Sequence, residues 1–264
     1  MLSAYIAAGL YLAITLLQVR RLRAQDPGSA MPVVALSLVA LAVHGFSTLA
    51  VIDTPSGINL GFFKVSSVIF WIINLAVLLG ALRRPVLNLL IILFPLSAVA
   101  LLVAAYAQGS TESFDGFPPG MLFHIGSSVL AYAVLTISVC QAGAVAALDY
   151  QLRHRHTRGL VQILPPLQLM ETILFELLWL GLLLLTVAIG SGMVFLEDIF
   201  AQHLAHKTVL TIFAWGLFAV LLWGRHQLGW RAQTAVRFTF VGFGVLMLGY
   251  FGSKLVLEVI LQRV

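Results

Sequence analysis

Residues 121–148 read MLFHIGSSVLAYAVLTISVCQAGAVAAL. The stretch contains no Asp, Glu, Lys or Arg, and it is longer than the about 20 apolar residues a helix needs to cross a hydrocarbon core of about 30 Å. Four of its polar residues fall at a fixed step: His124, Ser128, Tyr132 and Thr136 recur every fourth position. At about 100° per residue they form one slowly drifting stripe on a helix. A membrane-spanning strand would instead alternate over segments of about ten residues. The stretch therefore predicts a transmembrane helix with a histidine near its start.

Seven further runs of the same character lie at about Leu2–Val19, Pro32–Ile52, Leu60–Leu82, Val86–Tyr106, Ile173–Phe195, Thr208–Trp223 and Val236–Leu257. The composition agrees. Of 264 residues 61% are hydrophobic and 9% charged, with a mean hydropathy of +1.03. A soluble domain carries about a quarter charged residues, so an ordinary water-soluble fold is excluded. The expected fold class is all-α: a polytopic membrane helix bundle of eight transmembrane helices, forming a single integral-membrane domain over residues 1–264. The lone Cys140 excludes an internal disulfide framework and the paired-cysteine motifs of thiol oxidoreductases and c-type cytochromes.

Net charge +5 would suggest nucleic acid in a soluble protein, but here the basic residues sit in clusters between apolar runs. Arg20, Arg21, Arg23, Arg83, Arg84, Arg153, Arg155, Arg158, Arg225, Arg231 and Arg237 fall on one side. Lys64, Lys207, Lys254 and Arg263 fall on the other. The richer side is expected to be cytoplasmic, which puts both termini outside and makes the lipid bilayer, not nucleic acid, the partner of the charge. The first run has no basic segment before it and reads as a retained helix rather than a signal peptide. The linkers Ala107–Gly120 and Glu197–His206 are about a dozen residues each, enough to shape a site but not to bury a core.

Ionisable groups within spans cost roughly 2.5–3.5 kcal/mol on insertion scales, so each is a functional candidate. For the stripe of Ser128, Tyr132 and Thr136 the plainer reading is interhelical hydrogen bonding. His124 and His206 both open inward-running helices from the outer side, where the helix dipole disfavours a cation and keeps imidazole neutral. Two neutral imidazoles on different helices are a ligand set for haem iron, with Lys207 or Lys64 to meet the propionates; the alternative is a pair of wetted interface residues. His44, in the second span, needs a partner within the bundle and is either a third member of that group or a hydrogen-bonded core residue. His154 and His156 sit in a basic loop that suits anionic lipid. His203 and His206, with Glu197 or Asp198, make a weak zinc candidate. Glu176 is expected to pair with Arg225 or Arg231, and Gly224–Arg231 to form a tight cytoplasmic turn holding His226. No nucleophile, phosphate loop or carboxylate cluster stands out, so catalysis is not expected.

The second half of the chain resembles the transmembrane cytochrome c assembly family, the group of CcsA, CcmC and HemX-type proteins. The residues that carry the resemblance are His124 with Ser128 and Tyr132, then Gly181, Leu185-Thr186, Gly190 and Gly192. They continue through Lys207 with Trp215, Gly229-Trp230-Arg231 and Tyr250-Phe251-Gly252, covering about Leu122 to Leu257. Leu164-Pro165-Pro166, His206-Lys207 and Tyr250 to Lys254 are most similar to the YpjD-like inner-membrane branch. No motif is specific alone; their order and spacing carry the match.

The resemblance implies a multi-pass inner-membrane, haem-handling protein of eight helices, with His124 at the family's first external haem-ligand histidine. It also implies a membrane protein partner in haem or cytochrome biogenesis, since HemX-type proteins are associated with regulation of haem synthesis. The pattern is departed from at three places. The segment between Gly192 and Lys207 has no Trp, the second external histidine falls on Leu261, and the histidine at the inner end of the seventh span falls near Trp223. His206 then stands as a substitute ligand. A transporter or accessory subunit, with His44 and Glu176 lining a path, and a structural membrane partner without ligand are the rival readings.

Overall fold

The computed structural model describes residues 1–24, 29–54, 57–58, 61–107, 118–155, 160–195 and 205–249. They form nine α-helices: α1 (Leu2–Arg23), α2 (Met31–Ile52), α3 (Phe62–Gly80), α4 (Leu90–Tyr106), α5 (Pro119–Arg153), α6 (Leu160–Ile163), α7 (Leu167–Phe195), α8 (Ala205–Leu228) and α9 (Ala232–Met247). A 3-10 turn at Leu87–Leu89 leads into α4, and the extended residues form a two-residue antiparallel ladder, β1 (Asp53–Thr54) with β2 (Gly57–Ile58), in which Asp53 faces Ile58. Seven of the described helices are long and apolar enough to cross a membrane. The eighth expected span is represented by α9, whose 16 residues reach about 24 Å at 1.5 Å per residue. The rest of that expected span, from Tyr250 onward, lies outside the described residues.

The chain divides into two compact units, residues 1–115 with 151–165, and residues 116–150 with 166–264. In the first unit each of α1 and α3 packs against both α2 and α4, so the four helices close a ring in chain order. The pattern along α1 shows how: Ala4, Ala7, Ala8, Tyr11, Ile14 and Gln18 are buried, one stripe at helical spacing. Bulky Leu2, Ile6, Leu12 and Leu16 are exposed. Over the first turns, Ala4, Ala7 and Ala8 face inward while Leu2 and Ile6 face outward, the arrangement of a lipid-solvated bundle in which small residues let helix backbones approach closely. Pro95 sits inside α4 and withholds one helical hydrogen bond.

In the second unit, α5, α7, α8 and α9 are tied by side chains reaching foreign backbone. Gln141 Nε2 donates to the Met170 carbonyl (2.9 Å), Tyr132 Oη to the Leu246 carbonyl (2.9 Å), and Trp215 Nε1 to Thr186 Oγ1 (2.8 Å). A Cβ at Gly181 would lie 2.5 Å from Leu135 Cδ2, so the Leu135 side chain packs directly on the bare backbone of α7 and would have to shift for any larger residue there.

The turn expected at Gly224–Arg231 is present, and its chemistry is explicit. Gly229 has φ +67°, the left-handed conformation in which glycine ends a helix, and the Trp230 N–H reaches back to the Gly224 carbonyl (3.3 Å). The carboxylate serving this turn is Glu171, whose Oε1 accepts the Ala232 N–H (3.2 Å) at the positive end of α9. Arg225 donates to the Trp230 carbonyl (2.8 Å) and lies 4.7 Å from the centre of the Phe175 ring. His226 is exposed in the last turn of α8.

Candidate functional site

α5 starts at Pro119, a residue whose fixed φ suits the first helical position and whose missing N–H costs nothing there. The Met121 N–H bonds to the Pro118 carbonyl, and His124 follows within the opening turns. Phe195, at the end of α7, packs against Gly120, so the start of α5 lies beside the end of α7. His124 reaches across to that helix. Its Nδ1 is 2.9 Å from the Ala188 carbonyl and 3.2 Å from Ser191 Oγ, while Ser191 Oγ itself donates to the Ala188 carbonyl (2.9 Å).

These three distances assign the protons. A carbonyl oxygen only accepts, so Nδ1 carries the hydrogen, and the Ser191 proton is already directed at Ala188. Nδ1–H is therefore shared between a carbonyl and a hydroxyl lone pair, and the Nε2 lone pair is left over. Among the described residues Nε2 takes no hydrogen bond. A half-buried imidazole with Nδ1–H held by backbone and Nε2 open is the donor arrangement that metal-ligating histidines adopt. The chemistry of this donor fits an axial ligand of haem.

The remaining expected site residues distribute as follows. His206 is the second residue of α8. The Trp215–Thr186 bond ties α8 to α7. Lys207 is half-buried, and its carbonyl accepts from Thr211 Oγ1 (2.8 Å). His203, Glu197 and Asp198 lie outside the described residues. Among the described residues no group of three or more His, Cys, Asp or Glu gathers as a metal centre.

His44 belongs to the first unit, fully buried, with both nitrogens engaged: Nδ1 with Tyr11 Oη (2.8 Å) and Nε2 with Ser67 Oγ (3.1 Å). Of its two expected roles, the geometry is that of a hydrogen-bonded core residue, and neither nitrogen is left for iron. The polar stripe of α5 divides. His124 and Tyr132 reach other helices, whereas Thr136 Oγ1 bonds the Tyr132 carbonyl of its own helix (2.7 Å). What the sequence did not reveal is the pair that orients His124. Ser191, set between two glycines, is the residue whose position hinted at it.

A model of the family described as cytochrome C assembly protein matches residues 33–261. The inner membrane protein YpjD of Escherichia coli strain K12 is 33% identical over 226 residues, which is 85% of this chain and 86% of that protein. An uncharacterized 28.8 kDa protein in the nifR3-like 5′ region of Azospirillum brasilense is 28% identical over 188 residues, 69% of each chain. No solved structure matches the chain.

Proposed function

The chain belongs to the cytochrome C assembly protein family, and from that membership we propose that it is a non-catalytic haem-binding protein of the inner membrane. It is a multi-pass membrane protein, like its inner-membrane relatives. In this reading it forms one integral-membrane domain with eight spans and both termini outside, and His124 and His206 take haem at the outer face with Lys207 beside a propionate. Its role is to hold or sense haem on behalf of a membrane partner in haem or cytochrome biogenesis.

The observation that carries the reading is the state of His124: Nδ1–H bound to Ala188 and Ser191, Nε2 open. Bound haem supplies an iron centre whose electronic state reports its axial ligands. The chain's own contribution is prior and separate. α7 selects the His124 tautomer and limits rotation of the ring through the Nδ1–H bond. The transporter reading is weaker, because the buried His44 it needs is occupied by two hydrogen bonds.

Hemin titration of the purified protein tests the reading, and Ser191→Ala tests the orienting contact. Removing a partner of a ligating histidine costs about 10–100-fold in affinity. The Ala188 carbonyl remains as acceptor in Ser191→Ala, so the expected loss is about 10-fold, with Ser191→Thr close to wild type. Unchanged affinity in Ser191→Ala would show that Ala188 alone fixes the ring.

A further inference from the structure

We propose that the outer seam between α1 and α4 holds an anionic phospholipid whose headgroup carries two phosphates. Its acyl chains lie along the apolar length of the seam, and its phosphates meet Arg20, Arg23, Arg83 and Arg84 at one end. Ring and side-chain contacts set the register of the two helices. Tyr5 meets Tyr106 with ring centres 6.1 Å apart, Ala4 and Ala7 pack with Leu101, and Tyr11 meets Phe94 at 4.6 Å. Residue numbers fall along α4 as they rise along α1, so the helices are antiparallel, and the same register sets the last turn of α1 level with the start of α4.

A tight turn feeds α4 at that level, with the Arg83 and Arg84 N–H groups both bonded to the Gly80 carbonyl (3.0 and 2.9 Å). Arg20 and Arg23 therefore stand level with Arg83 and Arg84. They also face the seam. Arg23 follows Tyr5 by about five full turns, which returns it to the face of α1 that meets α4, and Arg20 lies about 60° round from it. All four arginines are exposed. Among the described residues of the first unit the sole carboxylate is Asp53, which follows the end of α2, and the end of α2 lies beside the end of α4 rather than its start. The arginine end of the seam thus carries its positive charge without a described counter-ion from the same unit.

Beyond the arginines the seam is apolar. Leu12 and Leu16 on α1, and Ile92, Leu96 and Val99 on α4, are exposed. The first pair lies within about 20° of the direction of Tyr5 and the others within about 80° of that of Tyr106, so both rows flank the seam that the two tyrosines close. From Leu12 to Arg23 the rise is about 16 Å, close to half of a hydrocarbon core of about 30 Å, which is the depth of one leaflet. Orientation of a chain in the membrane needs only charge on one side. Here two arginines from the end of α1 and two from the turn before α4 share one seam, and packed helices stand about 8–10 Å apart. Guanidinium forks pair with phosphate oxygens two at a time, so two pairs at that spacing complement two phosphates joined through one glycerol. Basic clusters between spans are known to hold such headgroups. The site lies in the first unit and is independent of the haem reading.

The test is titration of the purified full chain in detergent with cardiolipin, phosphatidylglycerol and phosphatidylcholine, read by native mass spectrometry, with pyrophosphate as a competitor that has the charges but no chains. The expected result is one saturable cardiolipin complex, with phosphatidylglycerol roughly 10-fold weaker, no phosphatidylcholine complex and no displacement by pyrophosphate. At about fivefold per arginine near a lipid surface, Arg23→Gln with Arg83→Gln is expected to weaken cardiolipin binding roughly 25-fold. Arg231→Gln with Arg237→Gln removes the same charge from the second unit and is expected to leave it unchanged. Should the first double variant fail to insert or fold, Arg23→Lys with Arg83→Lys keeps the charge, removes the forked donors and is expected to weaken binding about 3-fold. Equal binding of phosphatidylglycerol, displacement by pyrophosphate, equal losses in the two glutamine variants, or unchanged binding in the lysine variant overturns the proposal.

Discussion

His124→Ala is expected to reduce hemin affinity by roughly 100-fold or more, equivalent to about 2.7 kcal/mol, and to remove the spectral signature of histidine ligation. The size follows from what the substitution deletes. The imidazole supplies the open Nε2, and Ala188 and Ser191 have no atom that replaces it. The global fold is expected to survive. His124 is half-buried, and Ser191 keeps its bond to Ala188 in the ring's absence. His226→Ala is the matched control, because that side chain is exposed in the last turn of α8. Equal losses in the two variants would show that hemin binds wherever a histidine is accessible.

The second large effect concerns stability. In His44→Leu, the fully buried Tyr11 hydroxyl loses its His44 partner, and Ser67 keeps Thr48 alone among the described residues. Interhelical hydrogen bonds in membranes average about 0.6 kcal/mol with a maximum near 1.7, while a buried orphan costs about 1–3. The expected destabilisation is about 2 kcal/mol, read by thermal or denaturant unfolding in detergent. Tyr11→Phe added to His44→Leu removes the orphan and is expected to recover part of the loss, a coupling that independent sites would not show. Ser37→Ala is the control: its hydroxyl bonds the Val33 carbonyl of its own helix and ties no two helices together. A stable His44→Leu protein would mean the network contributes nothing to holding α1, α2 and α3 together.

The helical membrane architecture was legible because apolar run length and bilayer thickness are the same physical constraint, as residues 121–148 illustrate. Boundaries were less so. α5 continues to Arg153 and α8 to Leu228, because basic residues extend a helix into the interface once the apolar run has ended. The ladder at Asp53–Ile58 left no signal, since two residues per strand are too few for a period to register. His124 was legible as a polar group at a helix start. Its partner Ala188 was not, because a backbone carbonyl has no side-chain identity to read. His44 was recognised as needing a partner, but naming Tyr11 and Ser67 required knowing which faces of α1 and α3 turn inward. Glu171 was not legible as the acceptor of the Ala232 N–H, because helical angle alone does not say which carboxylate lies near the start of another helix.

Reduced-minus-oxidised difference spectroscopy of the purified wild-type chain, before and after addition of hemin, tests the central claim most directly. The account predicts a saturable low-spin haem spectrum at one equivalent of hemin, abolished in His124→Ala and altered in His206→Ala. A chain that takes up no hemin, or whose spectrum is the same in His124→Ala as in wild type, would contradict it.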